Sequence, residues 1–441
     1  MVRSIVGSIV IFLFQGLLLN AQSWKATEVQ AMPMRISNNA VVEAFPGGVP
    51  HVYSFGGIDS SKISSGVTNR SFKYNIQTNV WDSVASLPDP RTKIAAAASY
   101  VNGLIYIVGG YSVLSNGNEI SSNRIHRFDP VGDTFLTDAV SIPVPIDDHV
   151  QAVYKDSLIY VVTGWSNTTN VNNVQIYDTY LNTWTVGTPV RFNLHRVFGS
   201  AGTIVGDTIY YFGGAERSTN FPANNYLKKG AIDPTNPSLI TWLWSIPDPA
   251  VFAYRPACTS VGGEIHWLGG SSTSYNYDGI AYNGSGGVAP ANRSIAYLPS
   301  SNGFFTLPPD SGSFPMDLRG IASINDSVKY LAGGMVANQQ VTNKTWRLEY
   351  VQLATTLAEV KSEIEFSIFP NPAKNELMLK FANKQVYSLE LFDAVGRLIL
   401  DQETKNVLTK MDLSSVSQGV YLLRVYDGNK MTSKKLIVSY E

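Results

Sequence analysis

A short apolar strand that ends on glycine recurs six times in this chain, and this repeat constrains the fold more than any other feature. In chain order it reads HVYSFGG, LIYIVGG, LIYVVTG, TIYYFGG, EIHWLGG and VKYLAGG. The final glycines are 53, 54, 50, 56 and 64 residues apart. Self-similarity at a period near fifty predicts a repeat architecture in which every unit supplies several strands. The repeat glycines are Gly56, Gly57, Gly109, Gly110, Gly164, Gly213, Gly214, Gly269, Gly270, Gly333 and Gly334.

Each repeat is predicted to form four strands. In the second repeat, residues 93–100 form the first strand, the Asn102-Gly103 pair suits a hairpin turn, and residues 104–108 form the second strand. A polar loop then leads to a third strand at 124–128, and Phe135 begins the fourth. Aromatic residues end the third strand and begin the fourth at a spacing of seven. These pairs are Tyr74 and Trp81, Phe128 and Phe135, Tyr177 and Trp184, and Tyr297 and Phe304.

This combination of a glycine-ended strand and a spaced aromatic pair resembles the kelch repeat and covers about residues 24–350. The resemblance implies an all-β fold, a six-bladed kelch β-propeller. The sixth repeat lacks a convincing fourth strand, whereas residues 23–32 contain Trp24 and a Met-Pro corner. We therefore expect the N-terminal segment to complete the last blade, which removes an exposed sheet edge. The third repeat departs from the pattern because Thr163 replaces a glycine.

The first 21 residues have the pattern of a signal peptide. Arg3 supplies a positive start, residues 5–19 are apolar, and Ala21 offers a small residue for cleavage. We expect no transmembrane span in the mature protein. The net charge of −1 gives no reason to expect nucleic acid as a partner. The predicted domains are the signal peptide at 1–21, the propeller at 22–350, a linker at 351–365 and a second domain at 366–441.

The second domain has short strands that suit a small immunoglobulin-like β-sandwich. It contains FPNPAKNELML at 369–379, LFDAVGRLI at 391–399 and LSSVSQGVYLLRV at 413–425. These segments resemble the C-terminal sorting domain of type IX secretion cargo in Bacteroidetes. The resemblance implies recognition by the type IX secretion machinery, transfer across the outer membrane, and either attachment to the cell surface or release. The motif positions are Pro370, Asn371, Pro372, Gly396, Gly419 and Tyr421.

The strand order places the long loops between second and third strands on one face, called here the upper face, together with the starts of the first strands. Loops on a rigid scaffold carry function more often than strands do. Arginines at this mouth would suit a carboxylate or phosphate, although each of them could equally bond carbonyls of the next blade. The ligand-binding candidates are Arg91, Arg196, Arg255, Arg319, His195, Trp165, Tyr275 and Tyr277, and the catalytic candidates are Glu216 and His149.

Three functions remain open. We expect a secreted or cell-surface binding protein for a glycan or a surface protein, with Tyr275 and Tyr277 offering rings that stack on sugar. A sugar-modifying enzyme is the alternative, since sialic-acid mutarotases are six-bladed kelch proteins that need an acid/base residue and a carboxylate-binding arginine. The third is a scaffold without a small ligand. No metal-ligand spacing or phosphate-binding loop occurs, so we expect neither metal nor cofactor.

Overall fold

The computed structural model describes residues 22–191, 196–309, 313–352, 364–393, 397–427 and 431–440. The chain divides into two compact units, one formed by residues 22–352 and the other by the C-terminal segment. The predicted signal peptide lies outside the described residues. Within the described ranges, no helix is long and apolar enough to cross a membrane.

The first unit is a six-bladed β-propeller in which each blade is a four-stranded antiparallel sheet, with the first strand innermost. The strands of blades I to III, in order from first to fourth, are Ala40–Ala44, His51–Phe55, Ser71–Asn75 and Val80–Val84; Ile94–Val101, Leu104–Val113, Ile125–Asp129 and Thr134–Phe135; and Val150–Tyr154, Leu158–Val162, Val174–Asp178 and Thr183–Gly187. Those of blades IV to VI are Ala201–Val205, Thr208–Phe212, Leu227–Asp233 and Asn236–Ser245; Ala257–Val261, Glu264–Leu268, Ser294–Leu298 and Gly303–Leu307; and Ala322–Ser323, Val328–Ala332, Thr345–Gln352 and Gln22–Val29.

The sixth blade joins the two ends of the propeller chain. Its outer strand, Gln22–Val29, pairs antiparallel with Thr345–Gln352, so that Trp24 lies opposite Tyr350. The Trp24 side chain is fully buried, and its Nε1–H donates to Nδ1 of His266 at 3.2 Å. The Thr345–Gln352 strand runs two residues past the predicted end of the propeller at 350.

The glycine pairs bend the chain where the second strand of each blade approaches the next blade. In blade II, Gly109 has φ +66°, and a Cβ built on it would lie 2.2 Å from the carbonyl oxygen of Ile146. No other residue fits this approach, because glycine alone combines a left-handed backbone with the absence of a side chain. The aromatic pairs pack within blades, as in Tyr177 and Trp184, whose ring centroids are 5.2 Å apart.

The remaining short elements belong mostly to the upper loops. The strand Glu119–Ser121 pairs with the end of Leu104–Val113, and Arg319–Gly320 runs parallel to the first strand of blade I. The other short pairs are Trp165–Ser166 with Thr169–Asn170, Val197–Phe198 with Ala215–Glu216, and Met335–Val336 with Gln340–Val341. The 3₁₀ turns are Pro46–Gly48, Ser64–Gly66 and Ala337–Gln339.

The C-terminal unit is a β-sandwich. One sheet has the order Phe366–Phe369, Glu376–Phe381 and Leu408–Asp412, and the other has the order Leu398–Thr404, Tyr387–Phe392, Gly419–Tyr426 and Met431–Val438. The alternate apolar residues of both sheets, such as Leu377, Leu389 and Leu423, form one buried cluster. This inward alternation is what holds two packed sheets together.

Candidate functional site

The upper mouth of the propeller is bordered by six residues with a left-handed backbone, one near the start of the first strand in each blade. We call them the mouth ring: Asn38, Ala95, Asp148, Gly199, Arg255 and Asp317, with φ between +46° and +65°. Backbone N–H groups connect them around the ring, Asn38 to Asp317, Ala95 to Asn38, Asp148 to Ala95, Gly199 to Asp148 and Arg255 to Gly199, and Leu318 closes the circle on Arg255. The side chains that emerge here are therefore held by a closed belt of hydrogen bonds.

An ion triad occupies the centre of the mouth ring. Nε and Nη2 of Arg255 donate to the two oxygens of Asp148 at 3.1 and 2.6 Å, and its Nη1 donates to Asp317 at 2.8 Å. Ser37 donates to the other oxygen of Asp317 at 2.5 Å. All three charged side chains are buried. Each nitrogen of the guanidinium is thus already bonded to a carboxylate, so Arg255 is not the free carboxylate-binding group that its position in the sequence suggested.

A cavity of about 230 Å³ lies beside this triad on the upper face. We call it the upper cavity. It is lined by residues of blades II to V and their connections: Tyr111, Glu119, Asp147, Asp148, Trp165, Phe198, Phe221, Arg255, Asn276 and Tyr282. Most of these residues stand on the loops and corners that the strand order assigns to the upper face.

Aromatic rings form one part of the cavity lining. Trp165 packs edge-to-face against Phe198 and Phe221 at centroid distances of 5.4 and 5.6 Å, and Phe221 packs against Tyr282 at 5.1 Å. Phe221 has φ +44°, a conformation that costs a bulky residue energy and that accumulates at functional sites. The loop of blade IV therefore holds this ring in place against local backbone strain.

Carboxyl groups form another part of the lining. Glu119 lies on the short strand Glu119–Ser121, and burial raises its pKa to about 7. Burial and the neighbouring Asp148 carboxylate raise the pKa of Asp147 well above its usual range, while Ser121 donates to Asp147 at 2.5 Å. A carboxyl group that titrates near neutrality can both accept and donate a proton.

Two predicted residues line a separate cavity of about 280 Å³ formed by the inner strands, the propeller channel. Nη2 of Arg319 donates to the carbonyl oxygen of His149 at 2.8 Å, and its Nη1 lies 3.5 Å from Asp148. Nε2 of His149 is 3.0 Å from the side-chain oxygen of Gln151. Burial and Arg319 lower the pKa of His149 to about 3, so this imidazole is neutral at physiological pH.

The other predicted site residues lie apart from the upper cavity. Tyr275 is fully buried against Tyr254, so its ring cannot stack on a sugar as expected from the sequence. Tyr277 is partly buried and packs on the cluster that contains Tyr111. Arg91 is exposed at the corner before blade II. Arg196 and Glu216 are partly buried outside the cavity lining, and His195 lies outside the described residues.

The sequence analysis missed most of the cavity. Glu119, Asp147, Phe198, Phe221 and Tyr282 come from different repeats and share no motif. One usable signal does exist, because every mouth-ring residue lies 15 to 19 residues before the final glycine of its own repeat. Since five different residue types occupy those six positions, the signal predicts a place in the fold and not a chemistry.

The described residues of the sorting motif lie beside the last strand of the C-terminal unit. Asn371 donates from Nδ2 to the carbonyl oxygen of Lys435 and accepts from the N–H of Ile437, both at 2.9 Å. Pro370 and Pro372 flank it on an exposed segment. The buried Tyr421 donates to the carbonyl oxygen of Ser417 at 2.7 Å, and Gly419 begins the same strand. Gly396 lies outside the described residues.

Comparison with known families agrees with both units. Residues 14–226 match the KLHDC2/KLHL20/DRC7 Kelch-repeats domain, and residues 367–439 match the Secretion system C-terminal sorting domain. The chain therefore carries a kelch-repeat propeller followed by a C-terminal sorting domain. The sorting domain indicates type IX secretion, interaction with that machinery and a secreted or cell-surface location.

Individual relatives match only part of this chain. Kelch-like protein 36 of Mus musculus is 26% identical over 200 residues, 43% of this chain and 29% of the relative. Kelch domain-containing protein 3 of Bos taurus is 28% identical over 268 residues, 55% of this chain and 66% of the relative. The chain thus spans less than a third of the first relative and about two thirds of the second. The solved structure of YjhT has the same fold, with a TM-score of 0.58, 13% identity, and coverage of 72% of this chain and 95% of that one.

Proposed function

We propose that this secreted propeller binds a sugar-sized ligand in the upper cavity. The observation that carries the proposal is the combination of aromatic rings with Glu119, Asp147 and the amide of Asn276 in one concave site. Aromatic rings suit the apolar faces of a sugar ring, and carboxyl and amide groups bond its hydroxyls. The volume is below the roughly 300–1,000 Å³ of pockets for drug-sized ligands, which suits a single sugar residue at the end of a glycan.

A glycan array probed with the mature full-length protein tests this proposal. We expect Trp165→Ala to lower binding by about tenfold or more, since stacking and apolar contact at a binding site are worth more than about 1.4 kcal/mol. Trp244→Ala is the matched control, because Trp244 is 40% exposed on the outer strand of blade IV. Absence of binding to every glycan, or equal binding by the two variants, would overturn the proposal.

Acid–base catalysis on a sugar is a second candidate, favoured by the Glu119 pKa near 7. A general acid or base works best when its pKa is close to the ambient pH. An acidic sugar of the sialic-acid type is disfavoured here, because Arg255 already binds Asp148 and Asp317. Mutarotation of neutral sugars by wild type and by Glu119→Gln tests this candidate, and equal rates would dismiss it.

A further inference from the structure

Acidic side chains outnumber basic side chains around the upper cavity. Four carboxyl groups, those of Glu119, Asp147, Asp148 and Asp317, face two guanidinium groups. Arg255 is taken by Asp148 and Asp317, and Arg319 lies at the channel side of Asp148. In the described part of the chain, neither Glu119 nor Asp147 forms an ion pair with a basic side chain, so both carboxyl groups are left for a cation supplied by a ligand.

The aromatic lining of the upper cavity also favours a positively charged ligand. The face of an aromatic ring carries negative potential and attracts ammonium groups, with about 0.5–2 kcal/mol gained per contact according to how far water is excluded. Trp165, Phe221 and Tyr282 supply such rings around the space that Glu119 and Asp147 border. A ligand carboxylate would be repelled both by the carboxyl groups and by the faces of the aromatic rings.

The carboxyl groups do not converge as a metal site would require. Over the residues that the structure describes, no group of three or more His, Cys, Asp or Glu side chains is placed to hold a metal ion. Calcium needs six to eight oxygen ligands and magnesium needs octahedral geometry. Two carboxyl groups among aromatic rings instead suit a larger cation whose charge is spread over carbon-bonded groups.

We propose that the ligand of the upper cavity carries an organic ammonium group, which pairs with Glu119 and Asp147 while the aromatic rings of the cavity surround its carbon atoms. This inference rests on the proposed function and narrows it to sugars with a free amine. An N-acetylated sugar has the same ring but no charge, so it forfeits the ion pairs.

Titration calorimetry of the mature full-length protein with glucosamine and N-acetylglucosamine at pH 7.5 tests the inference. The amine should bind at least about tenfold more tightly, which corresponds to about 1.4 kcal/mol. Raised salt should reduce this preference, since it screens charge pairs. Glu119→Gln should reduce it by a similar factor, whereas Glu28→Gln, the same change at an exposed position on the outer strand of blade VI, should leave it intact.

A second pair of probes tests the inference on wild-type protein alone, without any substitution. Choline has a fixed positive charge, and dimethylbutanol is its uncharged carbon isostere, so wild-type protein alone should prefer choline. Binding of N-acetylglucosamine as tight as that of glucosamine, or of dimethylbutanol as tight as that of choline, would overturn the inference and leave the sugar site standing. Failure of every sugar to bind would overturn the site itself.

Discussion

Arg255 and Asp148, 107 positions apart in the sequence, form a two-pronged ion pair at the centre of the propeller mouth, with N–O distances of 3.1 and 2.6 Å. Asp317 binds the third nitrogen of the same guanidinium. One charged group therefore ties together the first-strand starts of blades III, V and VI.

Replacing Arg255 by Met is expected to lower the free energy of unfolding by about 3–5 kcal/mol, because it removes the guanidinium that both buried carboxylates share. Arg255→Lys should retain part of that stability, since it keeps the charge but not the fork geometry. Urea denaturation measures both. Arg91→Met is the control, and its effect should stay within about 0.5 kcal/mol because Arg91 is exposed. Equal losses for Arg255→Met and Arg91→Met would contradict the structural role of the triad.

Gly109 and Gly103 separate two physical reasons for glycine at a position, a left-handed backbone and a close approach of neighbouring atoms. Both have positive φ, but a Cβ on Gly109 would lie 2.2 Å from a backbone oxygen, whereas nothing lies within 4 Å of one on Gly103. Gly103→Ala should therefore cost only the left-handed strain of about 1–2 kcal/mol. Gly109→Ala should cost clearly more, because the neighbouring corner must move. Comparable denaturation midpoints for the two variants would show that the close approach is unimportant.

The repeat glycines show why the fold was predictable from sequence. A left-handed bend that touches the next blade accepts little besides glycine, so the requirement leaves a visible mark in every repeat. Blade III is the exception, because Thr163 stands there in place of the first glycine of the pair. Thr163 takes φ +48° in blade III, and its one hydroxyl hydrogen is within reach of two carbonyl oxygens, those of Val171 and Val197, at 2.8 and 3.0 Å from Oγ1. These bonds fix the bend that glycine makes elsewhere.

The site was much less predictable, for a physical reason. Asp148, Gly199 and Arg255 occupy equivalent places in the mouth ring, yet they share only a backbone conformation and belt hydrogen bonds that any residue can make. The sequence analysis expected Arg255 at the mouth as a ligand-binding residue, whereas its carboxylate partners lie 107 and 62 residues away. Ion pairs between residues so far apart in the sequence form only when the propeller closes into a ring, and they leave no local sequence pattern.

The pH dependence of stability should report the buried carboxyl of Glu119. Its pKa is raised to about 7 in the folded protein, against about 4.3 in an unfolded chain. Between these values the folded state holds a proton that the unfolded state has released, so stability falls as pH rises through this window. The titratable and charged groups that face Glu119 are Tyr111, Asp147, Asp148, Arg255, Tyr277 and Tyr282.

Glu119→Gln removes this contribution. Denaturation midpoints measured from pH 5 to 8 should therefore fall less steeply for the variant than for wild type. Asp147, whose pKa is raised in the same direction, remains in both proteins and supplies a common background. Parallel profiles for the two proteins would mean that Glu119 does not titrate in this range.

Asn371 is expected to hold the last strand of the sorting domain. Asn371→Ala removes two hydrogen bonds to the Met431–Val438 strand, each worth about 0.5–1.5 kcal/mol. Hydrogen exchange at the Ile437 amide should accelerate, and less protein should reach the cell surface or medium. Asn375→Ala, at an exposed position on the same segment, serves as the control. Normal export of Asn371→Ala despite faster hydrogen exchange would contradict this prediction, because it would show that sorting does not depend on the stability of the strand.

The location of the ligand is tested most directly by fluorine NMR of the mature protein labelled with fluorotryptophan. Of the eight tryptophans in the chain, Trp165 lines the upper cavity, and Trp165→Phe assigns its resonance. On titration with glucosamine, the Trp165 resonance should shift in proportion to the binding measured by calorimetry, while the Trp244 resonance stays in place. Saturable binding that leaves the Trp165 resonance unmoved would contradict a ligand site in the upper cavity.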